Sequence, residues 1–113
     1  MPFIDCKITK TLTQDQKTAL KSALGAKINL LHKPESYLMV GIADGYDLYF
    51  AGQKLNNGAY VEVSIFGSLS SADCNKMTAE ICRILGTQLD ADPSHVYVTY
   101  RGVSDWGWNG SNF

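Results

Sequence analysis

The sequence predicts an α+β fold. A β-α-β unit is written twice, giving a four-stranded mixed sheet with two helices on one face and short extra strands. Three observations carry this. Two amphipathic helical stretches each follow a capping signal. Runs rich in Val, Ile, Tyr and Phe flank both of them. The segment Lys33-Pro34-Glu35-Ser36-Tyr37-Leu38-Met39-Val40 is echoed just over half a chain later by Asp92-Pro93-Ser94-His95-Val96-Tyr97-Val98-Thr99.

The first strand runs over Pro2–Ile8. Thr13 and Gln16 form a capping-box pattern, and Leu20, Ala23, Leu24, Ile28 and Leu31 then recur at helical spacing. This helix is expected to continue until Pro34 ends it, which leaves Lys33 in the turn behind it. Tyr37–Ile42 reads as a strand covered on both faces. Asp44-Gly45 reads as a two-residue hairpin turn, with Tyr46–Phe50 as the return strand and Ala51–Gly58 as a turn-rich loop. Ala59–Phe66 is a long strand. Ser70 or Ser71 caps a second helix with Met77, Ile81, Ile84 and Leu85 as its stripe, ending in the Gly86–Asp92 region. His95–Tyr100 is a strand. The tail Asp105–Phe113 has no helical pattern, yet it is too aromatic for a disordered end. The strands read as apolar on both sides while helices cover only one face, so a homo-oligomer with inward-facing sheets is expected.

At 113 residues the chain is one domain, residues 1–113, with a core large enough to fold unaided. A net charge of −1 gives no reason to expect nucleic acid or an anionic membrane as partner. No apolar run is long enough to span a bilayer and no secretory signal is evident, so the cytoplasm is the expected location. Cys6, Cys74 and Cys82 lack metal-site or disulfide spacing and read as buried thiols. His32 and His95 have no partner pattern that suggests a base or ligand.

The chemistry in view is at the start of the chain. Pro2 directly follows the initiator, and a small second residue favours removal of Met1. The ring nitrogen then changes from an amide, which is not a base near neutral pH, to an α-amine titrating near 8. In an apolar pocket beside a cation its pKa falls towards the range of a useful general base.

Taken together, Met1-Pro2-Phe3-Ile4, Lys33-Pro34-Glu35-Ser36-Tyr37, Val63-Ser64-Ile65, Asp92-Pro93-Ser94-His95-Val96-Tyr97-Val98 and Asp105-Trp106-Gly107-Trp108-Asn109-Gly110-Ser111-Asn112-Phe113 resemble the macrophage migration inhibitory factor family of the tautomerase superfamily. The resemblance covers the whole length. It implies a homotrimer whose sheets line a central barrel, with active sites between subunits. It implies Pro2 as catalytic base and Lys33 as the cation that holds a substrate carboxylate and keeps the amine neutral. The Ile65 N–H would bind substrate with Ser64 beside it. Tyr97 would come from the neighbouring subunit. Tyr37, Trp106, Trp108 and Phe113 would form an aromatic pocket.

These residue types suit the keto–enol tautomerisation of a phenylpyruvate-type α-keto acid. The reaction needs one base that takes and returns a proton, donors for the developing oxyanion, and a cation for the carboxylate. It needs no metal or organic cofactor. Taken singly, a lysine at a helix end ordinarily serves the macrodipole, and strand tyrosines ordinarily belong to the core.

The chain also departs from the family pattern. The C-x-x-C of some animal members is missing, since Gly58-Ala59-Tyr60-Val61-Glu62 holds no cysteine, and with it goes any thiol oxidoreductase activity. Thr99 stands where many members have Asn, which alters one polar substrate contact. Trp106 replaces a smaller aliphatic and narrows the pocket mouth. The only arginines, Arg83 and Arg101, do not match the arginine-assisted branches of the superfamily. The alternative reading is a cytokine-like protein that binds a receptor and keeps only vestigial tautomerase activity; relatives of that kind are exported without a signal peptide.

Overall fold

The computed structural model describes residues 1–113. Strand β1, Pro2–Ile8, alternates strictly: Pro2, Ile4, Cys6 and Ile8 are buried, while Phe3, Asp5 and Lys7 face the other way. Helix α1, Gln14–Gly25, starts at a complete capping box in which Thr13 and Gln16 each accept the other's backbone N–H. It stops at Gly25, earlier than the apolar spacing predicts. A Cβ at Gly25 would collide with the Glu35 carboxylate, so the glycine lets the next turn pack closely there. A 3₁₀ turn, Ile28–Leu31, follows. Side chains three apart eclipse in a 3₁₀ helix, so Ile28 and Leu31 stay buried although the α-helix has ended.

His32 takes a left-handed conformation, with φ 59°, and turns the chain. Glu35–Tyr37 forms a second 3₁₀ turn, so strand β2 is Met39–Ala43 and Tyr37 lies before it rather than in it. Asp44-Gly45 does not make the expected hairpin. The Asp44 carboxylate accepts the Leu12 N–H at 2.8 Å, and the Gly45 and Tyr46 N–H groups donate to the Lys10 and Ile8 carbonyls. The loop therefore closes over the end of β1 instead of returning along β2. The hairpin forms one step later, between β3, Tyr49–Phe50, and β4, Gln53–Lys54. Its turn is Ala51-Gly52, both with positive φ, the geometry that matches strand twist.

Strand β5 is Ala59–Phe66, as expected. Ser70 caps helix α2, Ser71–Leu89, by accepting the Asp73 N–H at 3.1 Å. The helix runs past Gly86 to bury Leu89 beside Met77, Ile81, Ile84 and Leu85. Strand β6 is Val96–Val103, longer than predicted at its far end. The aromatic tail is a small hairpin of β7, Gly107–Trp108, and β8, Ser111–Asn112, closed by Asn109-Gly110 at positive φ.

The main sheet has the order β2-β1-β5-β6. The pairs β1–β2 and β5–β6 are parallel and β1–β5 is antiparallel, so two β-α-β units meet at the centre of a mixed sheet. Both helices contribute to one core with Ile4, Cys6, Ile8, Val61, Val63 and Ile65. The other face is not the apolar surface the strand composition suggests. Lys7 Nζ sits 3.0 Å from both the Asp5 and Glu62 carboxylates at its centre. Hydrogen bonds that Lys7 donates to Glu62, then to Asp5, hold its pKa above the ordinary lysine value. The core-facing half of each strand dominates the composition and hides this alternation. That face is charged at its centre, while Met39 and Tyr97 on its two edge strands are large exposed apolar side chains.

The cysteines divide as well. Cys6 is in the core, where burial pushes its thiol up to about 12. Cys74 and Cys82 on α2 are half-exposed rather than buried, and burial raises both thiols less far.

Candidate active site

Pro2 is fully buried at the first position of β1, opposite Ile65. A cavity of about 470 Å³ opens at this end of the sheet. Met1, Pro2, Phe3, Tyr37, Met39, Trp106 and Trp108 are among the residues that line it. The chain reaches it from three directions: the start of β1, the 3₁₀ turn before β2 and the C-terminal hairpin.

Lys33 follows the left-handed His32, whose ring nitrogen lies 3.1 Å from the Asp73 carboxylate on α2. Lys33 does not line the cavity, but its charge acts there. The terminal amine of Met1 has its pKa lowered first by desolvation and second by Lys33. Lys33 enters none of the ion pairs, so no carboxylate of the chain neutralises that charge at contact distance.

The aromatic side chains form a continuous series. Tyr37 meets Trp108 edge-on at 5.8 Å, Trp108 stacks on Phe113 at 6.2 Å, and Phe113 lies 5.4 Å from Phe66. Tyr37, Trp108 and Phe113 are each more than half exposed, at 51%, 52% and 57%. Large aromatics left open beside a cavity mark a binding surface. The tail is held by the Phe113 N–H donating to the Trp106 carbonyl at 3.0 Å.

The remaining candidates lie elsewhere. Tyr97 pairs with Tyr60, five residues along β5 from Ile65 and therefore roughly 17 Å from the Pro2 end. Its ring is 63% exposed and packs edge-on against Phe50 at 5.6 Å. Thr99 hydrogen-bonds the Tyr60 hydroxyl at 3.0 Å on the charged face. Within one chain neither meets Pro2. Ser64 occupies the same register as Phe3 and Arg101, so its side chain faces the charged side rather than the Pro2 cavity.

Ile65 has its side chain in the core, and its N–H faces β6. The Phe66 N–H donates to Met1 across β1 and the Gly67 N–H donates to Val103 of β6. Strand alternation with the Ile65–Gly102 register then makes the Arg101 carbonyl the acceptor for Ile65. The donor that faces Pro2 is Phe66, a residue the sequence did not single out. Met39, 68% exposed at the cavity, was also passed over. Neither carries a sequence signal that separates it from an ordinary strand residue. Arg83 pairs with Glu80 on the outside of α2.

The doubled β-α-β unit is the fold of the tautomerase superfamily, to which the structural neighbours belong. The chain belongs to its macrophage migration inhibitory factor family: residues 1–113 match the family described as Macrophage migration inhibitory factor (MIF). Among solved structures it is similar to Leishmania major MIF2, with 28% identity and a TM-score of 0.93 over 100% of this chain and 97% of that one. The macrophage migration inhibitory factor homologue from Prochlorococcus marinus is 26% identical, with a TM-score of 0.87 over 98% of both chains. The Toxoplasma gondii macrophage migration inhibitory factor shares the fold at 24% identity, with a TM-score of 0.87 over 98% of this chain and 99% of that one. Comparison with curated proteins gives no significant match.

Proposed function

We propose that the chain, once Met1 is removed, is a keto–enol tautomerase of phenylpyruvate-type α-keto acids with Pro2 as general base. The observation that carries this reading is the amine at the cavity, held below its ordinary pKa by desolvation and by Lys33. Pro2 sits one residue further into the same end of the sheet, so its free amine is expected to feel the same two effects. A neutral secondary amine takes a proton from the carbon beside the ketone and returns it to the oxygen. Lys33 attracts the carboxylate, and Tyr37, Trp106, Trp108 and Phe113 receive the ring. The chemistry calls for no cofactor. Phenylpyruvate added to protein shown by intact mass to lack Met1 is expected to tautomerise, followed by ultraviolet absorbance. An inert processed protein, or full activity in Pro2→Ala, would remove this reading.

Tyr97 and Thr99 join this site only from a second copy, and we take the working form to be a homotrimer with sites between subunits. The distance between the Pro2 and Tyr97 ends of one sheet supports a shared site. Pro2→Ala and Tyr97→Ala chains, each impaired alone, are expected to complement when co-refolded. Random equimolar mixing in a head-to-tail ring leaves roughly a quarter of the interfaces intact. Mixtures no better than the average of the two parents would assign both residues to one chain.

A further inference from the structure

We propose that Asn109-Gly110 is a self-modification site, where asparagine converts to isoaspartate with water as the only co-reactant and thereby dismantles the aromatic mouth of the cavity. The chain holds two Asn-Gly pairs, Asn57-Gly58 and Asn109-Gly110. A glycine after asparagine leaves its amide nitrogen unshielded by any Cβ, so that nitrogen can reach the asparagine side chain. The fold treats the two pairs in opposite ways.

Asn57 is tied down. Its side-chain amide donates to the Leu89 and Asp90 carbonyls, both at 2.8 Å. The Gly58 N–H donates to Thr9 Oγ1 at 2.8 Å, and Gly58 is buried against Leu55 and His95. Moving either group disturbs the start of β5 or the end of α2. Asn109 has none of this. It is exposed, as is every residue of the hairpin from Gly107 to Asn112. No hydrogen bond engages its side chain or the Gly110 N–H. A Cβ on Gly110 would meet nothing within 4 Å, so the nitrogen is open to approach. The flanking strands are two residues each, and so short a hairpin opens at little cost. Opening releases Asn109 from the turn geometry, and the backbone can then rotate into the form that ring closure needs.

In the reaction the Gly110 nitrogen gives up its proton and bonds to Asn109 Cγ, while the bond from Cγ to the side-chain nitrogen breaks. That nitrogen leaves as ammonia and carries the proton away. Water then opens the cyclic imide at one of its two carbonyls. Attack at Cγ gives aspartate. Attack at the main-chain carbonyl gives isoaspartate, whose backbone runs through Cβ and Cγ and is one atom longer. Nothing is oxidised or reduced. The extra atom falls inside a two-residue turn whose positive φ values, 54° and 89°, match the twist of its strands. The pairs Trp108–Ser111 and Gly107–Asn112 cannot keep their register around a longer turn. Trp108 then loses the frame that sets it 5.8 Å from Tyr37 and 6.2 Å from Phe113. The new carboxylate also repels a substrate carboxylate, an effect that alone rests on the tautomerase reading.

The test is timed ageing of the assembled protein at mildly alkaline pH, with isoaspartate located by peptide mass spectrometry. Isoaspartate is expected to form at Asn109 at least tenfold faster than at Asn57. In denaturant the two pairs are expected to react at comparable rates, because the fold alone separates them. No isoaspartate at Asn109, equal rates in the folded protein, or an Asn57 that stays slow in denaturant would each overturn the proposal. The consequence is read from the tryptophan bands of near-ultraviolet circular dichroism, since Trp106 and Trp108 are the two tryptophans of the chain and both border the cavity. Those bands are expected to fade in step with the isoaspartate fraction. An Asn109→Asp chain carries the charge without the extra atom and is expected to keep the bands of fresh protein. Unchanged bands in the isoaspartyl form, or equal loss in Asn109→Asp, would overturn the link from the turn to the cavity. Neither readout requires turnover, so failure here is distinct from failure of the tautomerase reading.

Discussion

If Pro2 is the base, a chain that keeps Met1 is expected to tautomerise phenylpyruvate about 10²–10⁴-fold more slowly than the processed chain, the range that positioned general bases contribute. The loss has a specific physical cause. The Pro2 nitrogen is then an amide whose lone pair is delocalised into the Met1 carbonyl, and the primary amine lies one residue further out. The fold should be unchanged, because β1 keeps its full register with β5. The comparison is made on one preparation expressed with and without inhibition of methionine aminopeptidase, with intact mass giving the processed fraction. Activity that does not scale with that fraction would show that another group removes the proton.

Replacing Lys33 by Ala is expected to lower kcat/KM by about one to two orders of magnitude, in line with the roughly 1.5–3 kcal/mol of a hydrogen bond to a charged partner. It should also move the pH profile. The active form of the base is neutral, so activity rises with pH through the pKa of the amine. Desolvation first, and Lys33 second, lower the pKa of the Met1 amine from its ordinary value near 8, and the Pro2 amine that replaces it is expected to respond to the same two causes. Without Lys33 the acidic limb should shift upward, and activity at mildly acidic pH should suffer most. The same sign applies to stability: between the lowered and ordinary values the unfolded chain binds more protons, so stability falls as pH drops through that window. A Lys33→Ala enzyme with an unmoved acidic limb would limit Lys33 to binding the carboxylate. A Lys33→Arg enzyme should keep the limb low, because the charge is kept.

Much of the fold was legible where a local rule had no competitor. Thr13 with Gln16, and Ser70, announce helix starts, and the caps form as written. Ala59–Phe66 alternates without interruption and becomes the central strand with those ends. Local rules failed where tertiary partners outbid them. Asp44-Gly45 has the composition of a hairpin turn, but Leu12, Lys10 and Ile8 offer its backbone and carboxylate other bonds. The stripe from Leu20 to Leu31 has helical period, yet Glu35 packs against Gly25 and the segment tightens into a 3₁₀ turn.

The candidate site was legible to the extent that it depends on side-chain type. Pro2, Tyr37, Trp106 and Trp108 border one cavity. The Phe66 N–H that meets the Met1 carbonyl was not legible, because a backbone donor has no letter of its own. Tyr97 and Thr99 could be picked out by resemblance, but their distance from Pro2 appears only once the register is known.

The unequal burial of the three thiols makes the protein its own unfolding probe. Cys6 sits in the middle of β1 with its thiol protonated, out of reach of an alkylating reagent until the sheet opens. Cys74 and Cys82 lie half-exposed on α2 and are reached by smaller openings. Timed labelling read by mass spectrometry therefore resolves helix loosening from loss of the core, with no foreign reporter built in. Because Cys6 shares β1 with Pro2, its labelling rate also tells whether an inactive variant has lost a chemical group or the strand that carries it.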